Sequence, residues 1–170
     1  FYTKSINGTT ITNTFTKPQE TVEITVNKEW EDLQDIYGKR PDTVTIQVKN
    51  GNQVVEQETI TEKDNWQARF TGLPKYNENG EEIAYTVDEE ELLGEAQIYY
   101  TKILGKVENG QATITNKMTK YPAMVIVKYV DKNTGEEIHD RVEKEGIIGE
   151  NYDVTEDKRE IAGYTLVQEP

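Results

Sequence analysis

The fold of this chain is decided by the segment VEITVNKEW, residues 22–30, in which apolar and polar side chains alternate as in a half-buried β-strand. The apolar face of this strand continues into a lysine, Lys28. Glu89 and Asn116 each stand in the apolar phase of a later predicted strand. An amine, a carboxyl group and a carboxamide are therefore predicted to point into the core. Because burying any one of them unpaired costs several kcal/mol, they must satisfy one another or react.

The composition indicates one or two small water-soluble domains. The 170 residues are 34% hydrophobic and 30% charged, and frequent Thr, Val, Ile and Tyr favour strands over helices. A formal net charge of −13 repels phosphate backbones and anionic lipid, so neither nucleic acid nor a membrane is an expected partner. The chain contains no Cys, which excludes disulfides and thiolate chemistry. It opens with no signal-peptide pattern.

Turn signals divide residues 18–118 into seven predicted strands, as expected for a β-sandwich. These strands are expected near residues 22–30, 43–49, 53–60, 65–71, 82–89, 96–103 and 111–118. A further unit, residues 119–170, opens with the apolar run 123–130 and turns at Asn133-Thr134-Gly135. It ends in a predicted strand over 163–167 with little sequence after it to pair with, so this unit is predicted to be incomplete.

An internal repeat marks the start of the sandwich. The pattern Tyr-Thr-Lys, Asn-Gly, Thr-Ile-Thr-Asn and Thr-Lys occurs in residues 2–17 and again in residues 100–120. Its two matching asparagines, Asn13 and Asn116, lie about one hundred positions apart, which is one domain length. Residues 1–17 are therefore predicted to be the last strand or hairpin of a preceding copy, with Asn13 in the place of Asn116. Chance similarity between two Thr-rich strands is the alternative.

The order and spacing of several motifs define the middle unit more closely. They are Lys28-x-Trp30, Asp32, Asp35, Gly38-Lys39-Arg40-Pro41, Val44-x-Ile46-x-Val48, Asn50-Gly51, Trp66, Phe70, Leu73-Pro74-x-Tyr76, Gly80, Ile83-x-Tyr85-x-Val87-x-Glu89 and Ile114-Thr115-Asn116. In this order they resemble the collagen-adhesin B-type (CnaB) domain of Gram-positive surface proteins. The resemblance implies an all-β, immunoglobulin-like (prealbumin-like) sandwich.

The resemblance also implies a chemistry. In that family a lysine of the first strand and an asparagine of the last strand join in an intramolecular isopeptide bond, assisted by a buried acid. These roles fall on Lys28, Asn116 and Glu89 respectively. Burial lowers the pKa of an amine and raises that of a carboxyl group, which suits attack by a neutral amine on the carboxamide. The alternative is structural: Lys28 snorkels and forms an ordinary ion pair with Glu89, and Asn116 caps a turn.

The C-terminal unit carries a second set of motifs. They are Val127-Lys128-Tyr129-Val130-Asp131, Gly135-Glu136-Glu137-Ile138, Gly149-Glu150-x-Tyr152 and Ile161-x-Gly163-Tyr164-x-Leu166. With these motifs the unit is similar to the mucin-binding-protein (MucBP) repeat, which implies a β-grasp-like fold. That family continues with a further strand pair, so an incomplete β-grasp-like unit is expected here.

Other polar residues are assigned structural roles. Asp131-x-Asn133-x-Gly135 resembles part of a calcium loop but lacks the terminal Glu at EF-hand spacing, so a hairpin turn and no metal are expected. His139 has no Ser or Cys nucleophile in a recognisable context and is expected in a solvated loop. Asp32, Asp35 and Arg40 are expected to form a loop network.

Together the two resemblances imply a structural stalk segment of a cell-wall-anchored bacterial surface adhesin, located outside the cell, with adjacent repeats of the same chain as partners. Neither enzymatic activity nor a cofactor is predicted. The alternative, suggested by the family name of the C-terminal unit, is a ligand-binding module for host mucin glycans or an extracellular-matrix protein. An exposed aromatic cluster near Tyr99, Tyr100 or Tyr121 would favour binding, whereas smooth polar faces would favour the spacer.

Overall fold

The computed structural model describes residues 2–15 and 19–167, and strands predominate. The strands are β1 (Tyr2–Asn7), β2 (Thr10–Phe15), β3 (Thr21–Glu31), β4 (Thr43–Asn50), β5 (Gln53–Thr61), β6 (Gln67–Pro74), β7 (Tyr85–Glu89), β8 (Tyr100–Leu104), β9 (Gln111–Met118), β10 (Pro122–Val130) and β11 (Glu137–Ile147). A short helix, α1 (Ala96–Tyr99), precedes β8. Within the described ranges, no helix has the length and apolar character needed to cross a membrane.

Seven strands in the middle of the chain form two sheets. One sheet has the order β6-β3-β9-β8 and the other has the order β5-β4-β7. Neighbours are antiparallel except for β3 and β9, the first and last strands of this unit, which run parallel. The fold is the all-β, immunoglobulin-like sandwich that the sequence predicts.

The core lies between the two sheets and consists of the inward residues of each strand. On β3, Ile24 and Val26 are buried, as the alternation predicts, and Trp30 is half-buried. The whole cluster comprises Ile24, Val26, Val44, Ile46, Val48, Ile60, Ala68, Phe70, Leu73, Val87, Ala112 and Ile114. A second cluster at one end of the sandwich comprises Ala96, Tyr99, Tyr100 and Met118.

Three predicted strands of the sandwich have the wrong boundaries. The strand predicted over 65–71 runs from Gln67 to Pro74. The strand predicted over 82–89 begins only at Tyr85. The strand predicted over 96–103 begins at Tyr100, because its first four residues form α1. Ala96 and Tyr99 are three positions apart in the helix, so both side chains turn to the same face and enter the second cluster. An extended backbone would have separated them.

The C-terminal unit is a hairpin with a folded-back loop. In the part of the chain that the structure describes, β10 and β11 pair with no other strand, and residues 148–167 contain no strand. The predicted strand over 163–167 is therefore wrong. The loop is held by Asp157, whose carboxylate accepts a hydrogen bond from Lys144 and whose carbonyl accepts one from the Tyr129 hydroxyl. These side-chain contacts replace strand pairing in this part of the unit.

Gly110 is required where the turn before β9 passes close to β3. Its φ is +75°, and a Cβ at this position would lie 2.7 Å from the carbonyl oxygen of Glu23. The Gly110 carbonyl also accepts a hydrogen bond of 2.8 Å from the Thr25 amide. At Gly51, in the β4–β5 turn, φ is +60°, but a Cβ would meet nothing within 4 Å.

We expect Gly110→Ala to destabilise the sandwich by at least ~1 kcal/mol more than Gly51→Ala. Both changes force an L-residue into a positive φ, but only the first also drives a methyl group into a backbone oxygen. Urea unfolding followed by tryptophan fluorescence measures the two free energies of unfolding. Equal losses would mean that the turn moves away from β3 at no cost, which would contradict this explanation.

Candidate functional site

Three strands bring Lys28, Glu89 and Asn116 together inside the sandwich. Lys28 lies on β3, Asn116 lies on the adjacent β9, and Glu89 lies on β7 in the opposite sheet. Their exposed fractions are only 5%, 1% and 0% for Lys28, Glu89 and Asn116. Lys28 Nζ lies 3.6 Å from Glu89 Oε2, and Asn116 Nδ2 donates a hydrogen bond of 2.7 Å to Glu89 Oε1. Each oxygen of the carboxyl group therefore faces one of the other two side chains.

The three side chains are shielded from bulk solvent, but not all of their polar atoms are hydrogen-bonded. Lys28 Nζ donates a hydrogen bond of 2.8 Å to the Glu29 carbonyl and lies 4.0 Å from the centre of a Trp30 ring. Among the described residues, Glu89 Oε2 and Asn116 Oδ1 have no hydrogen-bond partner. An unsatisfied buried polar atom costs about 1–3 kcal/mol. As three separate groups, these side chains therefore carry an energetic cost.

The structural alternative fails on two of its points. The Lys28 side chain is 0% exposed, so it does not snorkel to the surface. Asn116 lies inside β9 and caps no turn. The remaining point, an interaction between Lys28 and Glu89, is present, but it is buried in the interior of the sandwich.

Burial shifts the pKa values of both ionisable groups toward their neutral forms. It lowers the pKa of Lys28 from 10.5 to about 8, although the charge of Glu89 acts in the opposite direction. It raises the pKa of Glu89, against the charge of Lys28 and the hydrogen bond from Asn116. At pH 7 the neutral fraction of such an amine rises from roughly 0.0003 to roughly 0.1. Since only the neutral amine is a nucleophile, burial increases the fraction of Lys28 that is able to attack.

Sequence reasoning missed Lys102, which lies on β8 directly opposite Asn116. Its Nζ donates a hydrogen bond to the Glu89 carbonyl and lies 2.9 Å from Asp88 and 3.0 Å from Glu91. These contacts hold the end of β7, from which the Glu89 side chain projects into the core. Lys102 recurs as Lys4 in the internal repeat, and this recurrence was the sequence pattern that could have indicated its role.

Asp32, Asp35 and Arg40 form the loop network that the sequence predicts. Arg40 donates hydrogen bonds of 2.9 and 2.6 Å to the two oxygens of buried Asp32, and Asp35 Oδ1 accepts from the backbone amides of Lys39 and Arg40. The Tyr100 hydroxyl, which sequence reasoning missed, donates a bond of 3.0 Å to Asp32 Oδ2. Burial alone would raise the pKa of Asp32, but the hydrogen bonds from Arg40 and Tyr100 outweigh it and hold the pKa below its ordinary value.

The other candidate residues lie in surface positions. Asp131 Oδ1 accepts hydrogen bonds of 2.8 and 2.9 Å from the amides of Asn133 and Thr134, as in the predicted hairpin turn. His139 is exposed as expected, but it lies in strand β11 and not in a loop, and its ring packs edge-on against Tyr129 with ring centres 5.2 Å apart. Both residues belong to the β10–β11 hairpin, which is a separate sheet from the two that carry Lys28, Glu89 and Asn116.

A β-sandwich that buries an amine, a carboxyl group and a carboxamide, two of them on its first and last strands, defines a recognisable class of protein. The family model of the Cna protein B-type domain matches residues 24–117, and the chain belongs to this family. The model of the MucBP domain matches residues 124–170. Both resemblances found in the sequence are thereby confirmed.

The chain is similar to a collagen adhesin and to repeat units of a collagen-binding protein. The collagen adhesin of Staphylococcus aureus is 40% identical over 118 residues, which is 69% of this chain but only 9% of the adhesin. Crystal structures of one and of two B repeat units of the collagen-binding protein of the same organism are similar at 33% identity, each with a TM-score of 0.52. Both cover 69% of this chain, which in turn covers 60% of the single-repeat structure and 30% of the two-repeat structure.

We expect Asp32→Asn to lower the free energy of unfolding at pH 7 by about 2–4 kcal/mol, because it leaves the Arg40 guanidinium without its charged partner. The depressed pKa of Asp32 contributes stability above its unfolded value of about 3.9, and this contribution is lost as pH falls through the folded value. The difference between wild type and variant should therefore shrink below about pH 4.

Urea unfolding across this pH range measures the effect of Asp32→Asn. Tyr100→Phe is the matched control, because it removes one hydrogen bond to Asp32 and keeps the ion pair; a loss of about 1 kcal/mol is expected. A pH-independent difference between wild type and Asp32→Asn would contradict the electrostatic explanation.

Proposed function

We propose that this chain is a stalk segment of a bacterial surface adhesin, located outside the cell at the cell wall, and that an isopeptide bond between Lys28 Nζ and Asn116 Cγ cross-links its sandwich. The observation that carries the proposal is the buried contact of one carboxyl group, that of Glu89, with both the amine and the carboxamide. Membership of the family and similarity to adhesin repeat units support the structural role.

The reaction needs a proton relay and no outside reagent. The neutral Lys28 amine attacks Asn116 Cγ, the new C–N bond forms, the Cγ–Nδ2 bond breaks and ammonia leaves. Glu89 gives a proton to Nδ2 and receives one from Nζ, so it ends in its starting state. Its two oxygens face these two nitrogens, at 2.7 Å for Asn116 Nδ2 and 3.6 Å for Lys28 Nζ. The step occurs once per chain and is not enzymatic turnover.

The cross-link suits a mechanical role. It closes a loop of about 90 residues, which by analogy with disulfides adds roughly 4–5 kcal/mol through the unfolded state. That is comparable with the whole stability of a typical domain, about 5–15 kcal/mol. Tension that enters at the start of β3 and leaves at the end of β9 pulls two parallel neighbours in opposite directions. The load then falls on the covalent bond instead of the hydrogen bonds between strands.

Contacts between the sandwich and the C-terminal hairpin support a stiff stalk. Lys39 Nζ of the sandwich lies 2.8 Å from Glu145 Oε1 on β11. The rings of Tyr37 and Tyr121 meet edge-on with centres 6.1 Å apart. Ile147, the last residue of β11, packs against the second core cluster of the sandwich. Charged, aromatic and aliphatic contacts thus all link the two units.

The binding alternative has less support. Tyr99 and Tyr100 are only 4% and 8% exposed, and Tyr121, at 38%, packs against Tyr37. The aromatic residues that would favour binding therefore serve mainly internal contacts. Submicromolar binding of this chain to mucin or collagen, lost on a surface substitution, would nevertheless replace the spacer proposal.

We expect the folded chain to weigh one ammonia less than its sequence and to yield a branched peptide that joins Lys28 to Asn116. Glu89→Gln should restore the full mass, because an amide of similar shape cannot relay the proton. Glu90→Gln, which changes the exposed neighbouring carboxylate, is the matched control and should keep the lower mass. Intact-mass spectrometry and peptide mapping decide between these outcomes, and a full wild-type mass after prolonged folding would overturn the bond.

Pulling the same three proteins from their ends tests the mechanical role. With the bond in place, about 90 residues stay unextended at ~3.4 Å each, so wild type and Glu90→Gln should extend about 300 Å less than Glu89→Gln. Equal extension of all three would contradict the proposed load path.

We expect Lys39→Met to loosen the junction between the two units without unfolding either one, because it removes the ion pair with Glu145 and keeps the length of the side chain. Separate rotational correlation times for the two units, measured by ¹⁵N relaxation, should diverge in this variant. Lys63→Met, at an exposed turn of the sandwich, is the control and should leave them equal. Unchanged tumbling in Lys39→Met would mean that the apolar contacts alone fix the junction.

A further inference from the structure

The N-terminal hairpin β1–β2 has the same pairing register as the β8–β9 hairpin of the sandwich. The pairs correspond one to one: Tyr2–Phe15 with Tyr100–Met118, Lys4–Asn13 with Lys102–Asn116, and Ile6–Ile11 with Leu104–Ile114. The similarity of the two hairpins therefore includes the pairing of their strands as well as their sequences. A slip by one residue in either hairpin would turn every side chain of one strand to the other face. Asn13 therefore holds, within its hairpin, the position that Asn116 holds in the sandwich.

Among residues 2–15 and 19–167, the N-terminal hairpin pairs with no further strand. It forms a two-stranded sheet of its own, and Ile6 and Ile11, which lie opposite each other, are 64% and 58% exposed. The residue that corresponds to Ile11 is Ile114, which is 0% exposed. An isolated hairpin is at best marginally stable in water. The face that carries Ile11 and Asn13 is therefore suited to a partner that covers it.

We infer that this hairpin completes a second sandwich of the same class, formed with strands of the same polypeptide that precede residue 1, and that Asn13 is the cross-link acceptor of that sandwich. The partner is defined by what the hairpin lacks when compared with β8–β9. It must supply a parallel strand with a buried lysine, as β3 does with Lys28, and a facing strand with a buried carboxyl group, as β7 does with Glu89.

Further observations agree with this partner. Lys4 lies opposite Asn13 as Lys102 lies opposite Asn116, so it is placed to hold the end of the strand that carries the acid. The similar structure of two B repeat units contains such domains in tandem, and the related adhesin is far longer than this chain, which covers 9% of it.

The bond at Asn13 would form by the reaction proposed for Asn116, and the inference therefore rests on the proposed function. The upstream amine attacks Asn13 Cγ, the Cγ–Nδ2 bond breaks, and ammonia leaves with a proton relayed by the upstream carboxyl group. One ammonia is lost for each sandwich that is completed.

Mass spectrometry of two lengths of the chain tests this assignment. The 170-residue chain should lose one ammonia and keep Asn13 unmodified. The chain extended upstream by one domain length of its parent polypeptide should lose two, and should yield a branched peptide that contains Asn13. Asn13→Ala in the extended chain should restore one ammonia. Thr12→Ala, which changes a side chain on the other face of β2, is the control and should restore none.

The failure of this inference is distinguishable from that of the proposed function. Free Asn13 in the extended chain, together with linked Lys28 and Asn116, overturns the inference alone. Free Asn13 and free Asn116 overturn both. Amide exchange gives a second readout that needs no variant: Ile11 should match Ile114 in the extended chain and exchange at least ~100-fold faster in the shorter one. Equal protection in the shorter chain would assign the hairpin to the present sandwich and also overturn the inference.

Discussion

Parallel pairing between β3 and β9 is the constraint on which the site depends. Parallel neighbours cannot be joined by a tight turn, and here all the intervening strands of the sandwich serve as their connection. The register places Lys28 directly across from Ile114, the inward neighbour of Asn116, so that both polar side chains reach the same part of the interior. A slip of one residue would turn Asn116 to the outer face and leave Lys28 without it.

Burial of the three side chains is the second requirement for the proposed reaction. For Lys28 and for Glu89 alike, burial is the largest cause of the pKa shift, and it exceeds their mutual attraction, which favours the charged forms. A solvated pair at the same distance would remain a lysine cation beside a carboxylate. Shielding from bulk solvent also limits the competition between water and the amine for the carboxamide carbon.

The sequence revealed the triad more clearly than it revealed the elements around it. A single polar residue in the apolar phase of a strand is conspicuous, which is why Lys28, Glu89 and Asn116 could be identified, while their roles came from the family resemblance. The helix α1 has four residues, too few to display a helical period, so it was mistaken for the start of β8. The contacts of Lys39 and Tyr100 were missed for another reason. Their partners Glu145 and Asp32 lie 106 and 68 positions away, and no local pattern marks such pairs.

Because Lys28, Glu89 and Asn116 are enclosed between the two sheets, the protein must fold before the proposed bond can form. The three side chains come from strands of both sheets, so the proposed bond can form only after the sheets have closed on each other. A molecule that contains the bond has therefore reached the native fold at least once. If it is later stretched or unfolded, the first and last strands remain attached, and the chain returns to the same topology without searching for it. Under the proposed function, this covalent attachment would allow a stretched stalk segment to refold without any external factor.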